Sequence, residues 1–133
     1  MICFRMDLTG VDWEALKQDL IADGFHNGRT TAQLRLSFEN SAVVAMGFEG
    51  ERCIANGRLL SDGVGNAYIV DVWTHSAYRR QGIGRRILQG LIEAVPGQHV
   101  YLQTEAVDFF ASLGFKEQPR GMSLISGAYL RND

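Results

Sequence analysis

The nine residues Tyr78-Arg79-Arg80-Gln81-Gly82-Ile83-Gly84-Arg85-Arg86 combine two glycines with four arginines. That composition suits an anion. Glycine lets a backbone come close to a ligand, and arginine supplies charge with a forked set of donors. The flanks sharpen the reading. Residues 67–74 form an apolar, β-rich run, and Ile87, Leu88, Leu91 and Ile92 recur at helical spacing just after the glycines. A strand therefore feeds a glycine turn that opens a helix, whose first turn offers unpaired N–H groups. Such a turn is a site for phosphate. The third glycine of G-x-G-x-x-G would fall at Ile87, and the Lys-Ser/Thr of a P-loop is absent, so neither nucleotide loop fits.

Asp71 is the second residue that could do chemistry, because a carboxylate inside an apolar strand needs a partner or a task. It could act as a general base, directly or through water. It could equally pair with Arg58 on the preceding strand. Strand alternation puts Asp71 on the opposite face from Val70 and Val72, and Tyr68 on the Val70 face is a further candidate. His75 titrates near neutrality but stands at a strand-to-loop junction, where a structural role is expected. Asp62, Glu39 and Glu105 could meet a cationic substrate; each also reads as a turn, cap or surface acid. Trp13 and Phe38 read as core.

The elements that must hold these residues follow from pattern. The chain has 133 residues, enough for one compact domain over 1–133 with a core of its own. A strand is expected near 1–6. A helix follows at 12–23, with Trp13, Leu16 and Leu20 on one face and Gly24 as its stop. Thr30 caps a second helix bearing Leu34 and Phe38. Three strands come next, at 42–48, 52–60 and 67–74, joined by turns at 49–51 and 61–66. The helix after Gly84 runs to about 95 and ends at Pro96-Gly97. A strand at 99–104, a helix at 106–113 stopped by Gly114, and a last pair of strands at 115–118 and 122–125 complete the order β-α-α-β-β-β-α-β-α-β-β. The class is α+β, with a mixed, mostly antiparallel sheet.

Composition bounds the partners. The net charge is −2, so the body has no general attraction for nucleic acid or an anionic membrane, and neither is expected as a partner. Four clustered arginines do admit a nucleic-acid reading, which would show as salt-sensitive affinity. No apolar stretch reaches the ~20 residues of a membrane span. Residues 1–8 carry no signal-peptide pattern, so a cytoplasmic location is expected. Cys3 and Cys53 belong to no metal-ligand spacing, so no metal is expected and both read as reduced thiols.

The motif, its flanks and the element order resemble the GNAT superfamily of N-acetyltransferases. Arg79-x-x-Gly82-x-Gly84 after an apolar strand resembles motif A of that family. Ala106-Val107-Asp108-Phe109-Phe110-Ala111-Ser112-Leu113-Gly114-Phe115 resembles its late helix, usually A-x-x-F-Y-x-x-x-G-F. The motifs cover about residues 67–115, and the topology nearly the whole chain.

The resemblance implies a single-domain GNAT fold and acetyl-CoA as cosubstrate. It implies an enzyme that moves the acetyl group to a primary amine by direct attack in a ternary complex. Backbone N–H groups across Arg80, Gln81, Gly82, Ile83, Gly84 and Arg85, with Arg79 beside them, would hold the pyrophosphate. The strand end Val72-Trp73-Thr74 would splay from its parallel neighbour and pair with the pantetheine amides. The N–H near Val72 would stabilise the oxyanion. Asp71 is the candidate base, and Gln103 stands where the family often bonds the cofactor arm with Asn. Phe110 stands where the family often has a Tyr as general acid, so the thiolate would take its proton from water or the product ammonium. The competing reading is a CoA-binding regulatory module with little turnover. The acceptor and a homodimer stay open.

Overall fold

The computed structural model describes residues 1–130. Its elements are β1 (Ile2–Arg5), α1 (Trp13–Ala22), α2 (Thr31–Glu39), β2 (Val43–Glu49), β3 (Arg52–Ser61), β4 (Asn66–Thr74), a 3-10 turn (Ser76–Tyr78), α3 (Ile83–Glu93), β5 (His99–Tyr101) and α4 (Val107–Ala111). The strands form one sheet in the order β1-β2-β3-β4-β5. Neighbours are antiparallel except β4 and β5, which are parallel and joined through α3. The expected α+β class with a mixed, mostly antiparallel sheet is what forms.

Local chemistry sets the helix ends. The Asp12 carboxylate accepts the Ala15 N–H at the start of α1. Thr30 and Gln33 close a capping box on α2, each side chain accepting the other's backbone N–H. The sheet is covered on both faces, so β2 is buried along its length rather than alternating. On one face, α3 packs Ile83, Ile87, Leu88 and Leu91 onto Ala45, Leu59 and Ile69. On the other, α1 and α2 pack Trp13, Leu16, Leu20, Leu34 and Phe38 onto Met46, Phe48 and Trp73. Cys53 belongs to this second core, and burial pushes its thiol pKa up to about 12, while Cys3 is exposed.

The β3–β4 ladder carries a bulge that positions the site. Asn56 pairs with Trp73 and Arg58 with Val70, so Gly57 alone faces Asp71 and Val72. Asp71 absorbs the extra residue in a left-handed conformation, φ 56°. Simple alternation therefore fails here. Ile69 and Val72, three residues apart, both pack in the α3 core, and Trp73 is buried in the α1/α2 core.

Gly57 is also where β3 meets α3 most closely. A Cβ there would stand 2.7 Å from Ile87 Cγ2 and 3.1 Å from Leu91 Cδ1. Both neighbours are branched core side chains with nowhere to go. Gly57→Ala should destabilise the fold by about 1–3 kcal/mol through overpacking, read as a lower urea midpoint with an unchanged slope.

The end of the chain departs from expectation. β5 stops at Tyr101 and α4 spans five residues. Neither 115–118 nor 122–125 forms a strand among the described residues. Phe115 packs on the α3 core, but Met122 and Leu124 are 94% and 92% exposed. Pro119 cannot donate to a ladder, and a three-residue β5 offers little edge to pair with.

Candidate functional site

The site is built where β4 runs out of partners. β4 and β5 pair only from Asn66 to Tyr68 against His99 to Tyr101. Beyond Tyr68 the pairing stops, so among the described residues β4 from Ile69 onward has no strand on that side. The backbone groups of that stretch that point away from β3 are available to an extended ligand, apart from the Thr74 carbonyl, which accepts from Arg79. Val72, Trp73 and Thr74 lie on this stretch. The Trp73 side chain is buried toward α1 and its indole N–H donates to Asp23, so that side chain does not face the cleft.

β4 then crosses through His75 and the 3-10 turn to the start of α3. Arg80 (φ 65°) and Gly82 (φ 78°) are both left-handed. Alternation of this kind turns successive N–H groups toward one point. Gly82 is the N-cap and provides no side-chain cap, and the first turn of α3 holds no acid. The first N–H groups of α3 are therefore left for a ligand, at the positive end of an eleven-residue helix. The space fits a close approach. A Cβ on Gly82 would meet nothing within 4 Å, and one on Gly84 would fill the gap to Thr74 Oγ1 at 3.5 Å and Phe109 at 3.8 Å. A pyrophosphate suits this cradle.

The arginines have separate duties. Arg79 donates from Nε to the Thr74 carbonyl at 3.0 Å. Arg85 donates to Ser112 Oγ at 3.2 Å and so links α3 to α4. Arg86 lies 4.8 Å over the Phe4 ring and faces β1. Gln81 is exposed on the turn, and Ile83 is buried in the core. A cavity of about 1240 Å³ opens between β5, α4 and the chain after it, with Tyr68 as its contact to β4. Tyr68, Gln103, Thr104 and Phe110 are among its walls. Gln103 falls in the loop after β5, not at a strand end.

Asp71 is not poised as a base. Arg29 contacts both of its oxygens, at 2.8 and 3.3 Å, and Arg58 Nε donates to Oδ2 at 2.6 Å. Arg29 is 6% exposed and also donates to the His26 carbonyl and Ser37 Oγ. Burial alone would raise the Asp71 pKa, but hydrogen bonds and charge from Arg29 and then Arg58 outweigh it and hold the carboxyl below its usual range. A carboxylate so stabilised is a poor proton acceptor near neutrality. The expected Arg58 partner is present, and Arg29 is the one that sequence reasoning missed. An arginine in a turn after His26-Asn27-Gly28 carries no signal of a partner 42 positions away.

The other candidates resolve as structure. His75 Nδ1 accepts the Ala77 N–H, and its Nε2 lies 3.1 Å from an Arg52 guanidinium nitrogen. Asp62 accepts N–H groups from Val64, Gly65 and Asn66, which hold its pKa down to about 2 and tie the β3–β4 turn. Glu39 pairs with Arg35 one helical turn back, and Glu105 is exposed between β5 and α4. Among the described residues no cluster of His, Cys, Asp and Glu could hold a metal, and no helix is long and apolar enough to cross a membrane.

Comparison with known proteins agrees with this architecture. Residues 11–115 match the family model described as "Acetyltransferase (GNAT) family". Serotonin N-acetyltransferase 2, chloroplastic, from Oryza sativa subsp. japonica is 31% identical over 131 residues, covering 90% of this chain and 65% of that protein. Histone acetyltransferase TAP1 from Glycine max is 28% identical over 110 residues, covering 71% of this chain and 48% of that protein. The chain thus spans about half to two-thirds of the length of these curated relatives. Among solved structures, a GNAT-family acetyltransferase from Streptococcus pneumoniae TIGR4 superposes with a TM-score of 0.79 at 25% identity, covering 95% of this chain and 98% of that one. Glucosamine-6-phosphate N-acetyltransferase from Arabidopsis thaliana shares the fold, with a TM-score of 0.69 at 17% identity over 94% of this chain and 98% of that one.

Proposed function

Since the chain belongs to the GNAT acetyltransferase family, we propose that it transfers the acetyl group of acetyl-CoA directly to a primary amine. The observation that carries this reading is the pairing of an uncapped, glycine-opened helix start with a strand that loses its neighbour just before it. Acetyl-CoA supplies an activated thioester, and the protein supplies position. The N–H groups from Arg80 to Arg85 bind the pyrophosphate, with Arg79 beside them. The open edge of β4 at Val72, Trp73 and Thr74 pairs with the amides of the pantetheine arm, and Gln103 reaches the arm from the β5 side. The Val72 N–H polarises the reacting carbonyl. Asp71 keeps the bulge in shape so that this N–H faces the cleft.

The acceptor enters from the α1/α2 face, since the cosubstrate turn is built on α3 against the other face. Two relatives support a primary amine as acceptor. Serotonin, named in one, carries such an amine, and histones, named in the other, carry lysine amines. Phe110 has no proton to give, so the departing thiolate takes its proton from water or from the ammonium product. The alternative of a CoA-binding module without turnover rests on the same Phe110. Thiol release from acetyl-CoA, assayed with a panel of arylalkylamines, polyamines, amino acids and histone-tail peptides, separates the two. Amine-dependent release is expected; tight acetyl-CoA binding with no release on any amine would favour the module.

A further inference from the structure

We propose that Asp23 is a positioning residue for the cosubstrate turn, holding the 73–79 crossover from the far side of the sheet. The proposal rests on the reading that this turn grips acetyl-CoA. Asp23 is the C-cap of α1 and takes no part in the family motif. Its Oδ2 nevertheless accepts two hydrogen bonds and faces one cation, all from one short stretch. Trp73 Nε1 donates at 3.0 Å, the Ser76 N–H donates at 3.1 Å, and Arg79 stands 3.7 Å away. These groups belong to the end of β4, the start of the 3-10 turn and the first residue after it. A single carboxylate therefore ties down both ends of the segment that carries the chain from the open edge of β4 to the left-handed Arg80 and Gly82.

The Asp23 side chain is 11% exposed, so these bonds form with little competition from water. Burial raises its pKa, and bonds from Trp73 and Ser76 with the charge of Arg79 reverse that, so the group stays ionised. Arg79 is fixed twice, by Asp23 and by the Thr74 carbonyl, although it is half exposed. Convergent N–H groups bind an anion well only when the backbone before them cannot drift, because a misplaced donor loses most of its value. Arg79 holds the Thr74 carbonyl and the His75 N–H donates to the Ile54 carbonyl of β3 at 2.7 Å, and Asp23 adds the tie that comes from α1.

The test is acetyl-CoA binding to the full chain by calorimetry, far below the unfolding midpoint, for wild type, Asp23→Ala, Asp23→Asn and Asp12→Ala. Asp12 caps the same helix at its other end and touches nothing in 73–79, so it reports lost stability alone. Asp23→Ala should raise Kd on the order of tenfold, the loss of one charged acceptor shared by two donors and paired with Arg79. Asp23→Asn keeps one acceptor, so it should give a smaller rise, and it covers the case in which the alanine variant does not fold. Asp12→Ala should lower the midpoint and leave Kd unchanged. Wild-type affinity in both Asp23 variants would overturn the proposal, and so would an equal loss in Asp12→Ala. Failure of the wild type to bind acetyl-CoA would instead bring down the functional reading, and this proposal with it.

Discussion

Gly84→Asp is expected to remove acetyl-CoA binding and leave the fold intact. A side chain at this position meets only ordinary contacts, 3.5 Å to Thr74 Oγ1 and 3.8 Å to Phe109, and the backbone is not left-handed. Asp is a better helix residue than Gly, and an acid in the first turn of α3 interacts favourably with the helix dipole. The folded state therefore loses nothing. The ligand loses its site, because the new carboxylate fills the gap and takes the N–H groups that would meet the pyrophosphate. Like charge at contact distance adds to this, and a loss of about a hundredfold or more in affinity should follow. Gly82→Asp should give the same loss with a lower unfolding midpoint, since φ 78° at that position strains a side-chain-bearing residue by about 1–2 kcal/mol. Calorimetry with wild-type affinity in Gly84→Asp would refute the placement.

The second large effect concerns stability. Asp71→Asn should destabilise the protein by about 3–5 kcal/mol in urea unfolding, because it leaves a buried and a partly buried guanidinium without their carboxylate. Asn tolerates the left-handed backbone, so the cost comes from charge and not from the bulge. The pH dependence follows from the depressed Asp71 pKa. Its contribution is complete above the ordinary carboxylate value of 3.8 and is lost as pH falls through the lower folded value. Wild type should weaken in that acid window, and Asp71→Asn should lack this part of the slope. The rate profile near neutral pH should keep its shape in the variant. Loss of one limb of that profile with unchanged stability would restore Asp71 as a base.

These two residues mark what the sequence could and could not reveal. The anion turn is legible because its signals are local: glycine spacing, an apolar strand before it and helical periodicity after it. The two front helices are legible for the same reason, with Asp12 and Thr30 at their caps. The bulge is harder. Gly57 within a strand hints at it, yet nothing local says that Asp71 takes the extra residue, and the expected alternation around Val70 and Val72 fails there. Arg29 and Asp23 act across the fold, 42 and 50 positions from Asp71 and Trp73, where no pattern reaches. The strands expected at 115–118 and 122–125 fail differently. Their apolar residues fit a strand, but pairing needs an edge, and β5 provides three residues.

The central claim is that acetyl-CoA is held between the opening of α3 and the unpaired end of β4. A nitrogen-15 NMR titration of the full chain with acetyl-CoA tests it most directly. The largest amide shifts should fall on Gly82, Ile83, Gly84 and Arg85, with a second group at Val72, Trp73 and Thr74, and both should saturate together. Saturable binding that leaves those amides unmoved would contradict the account.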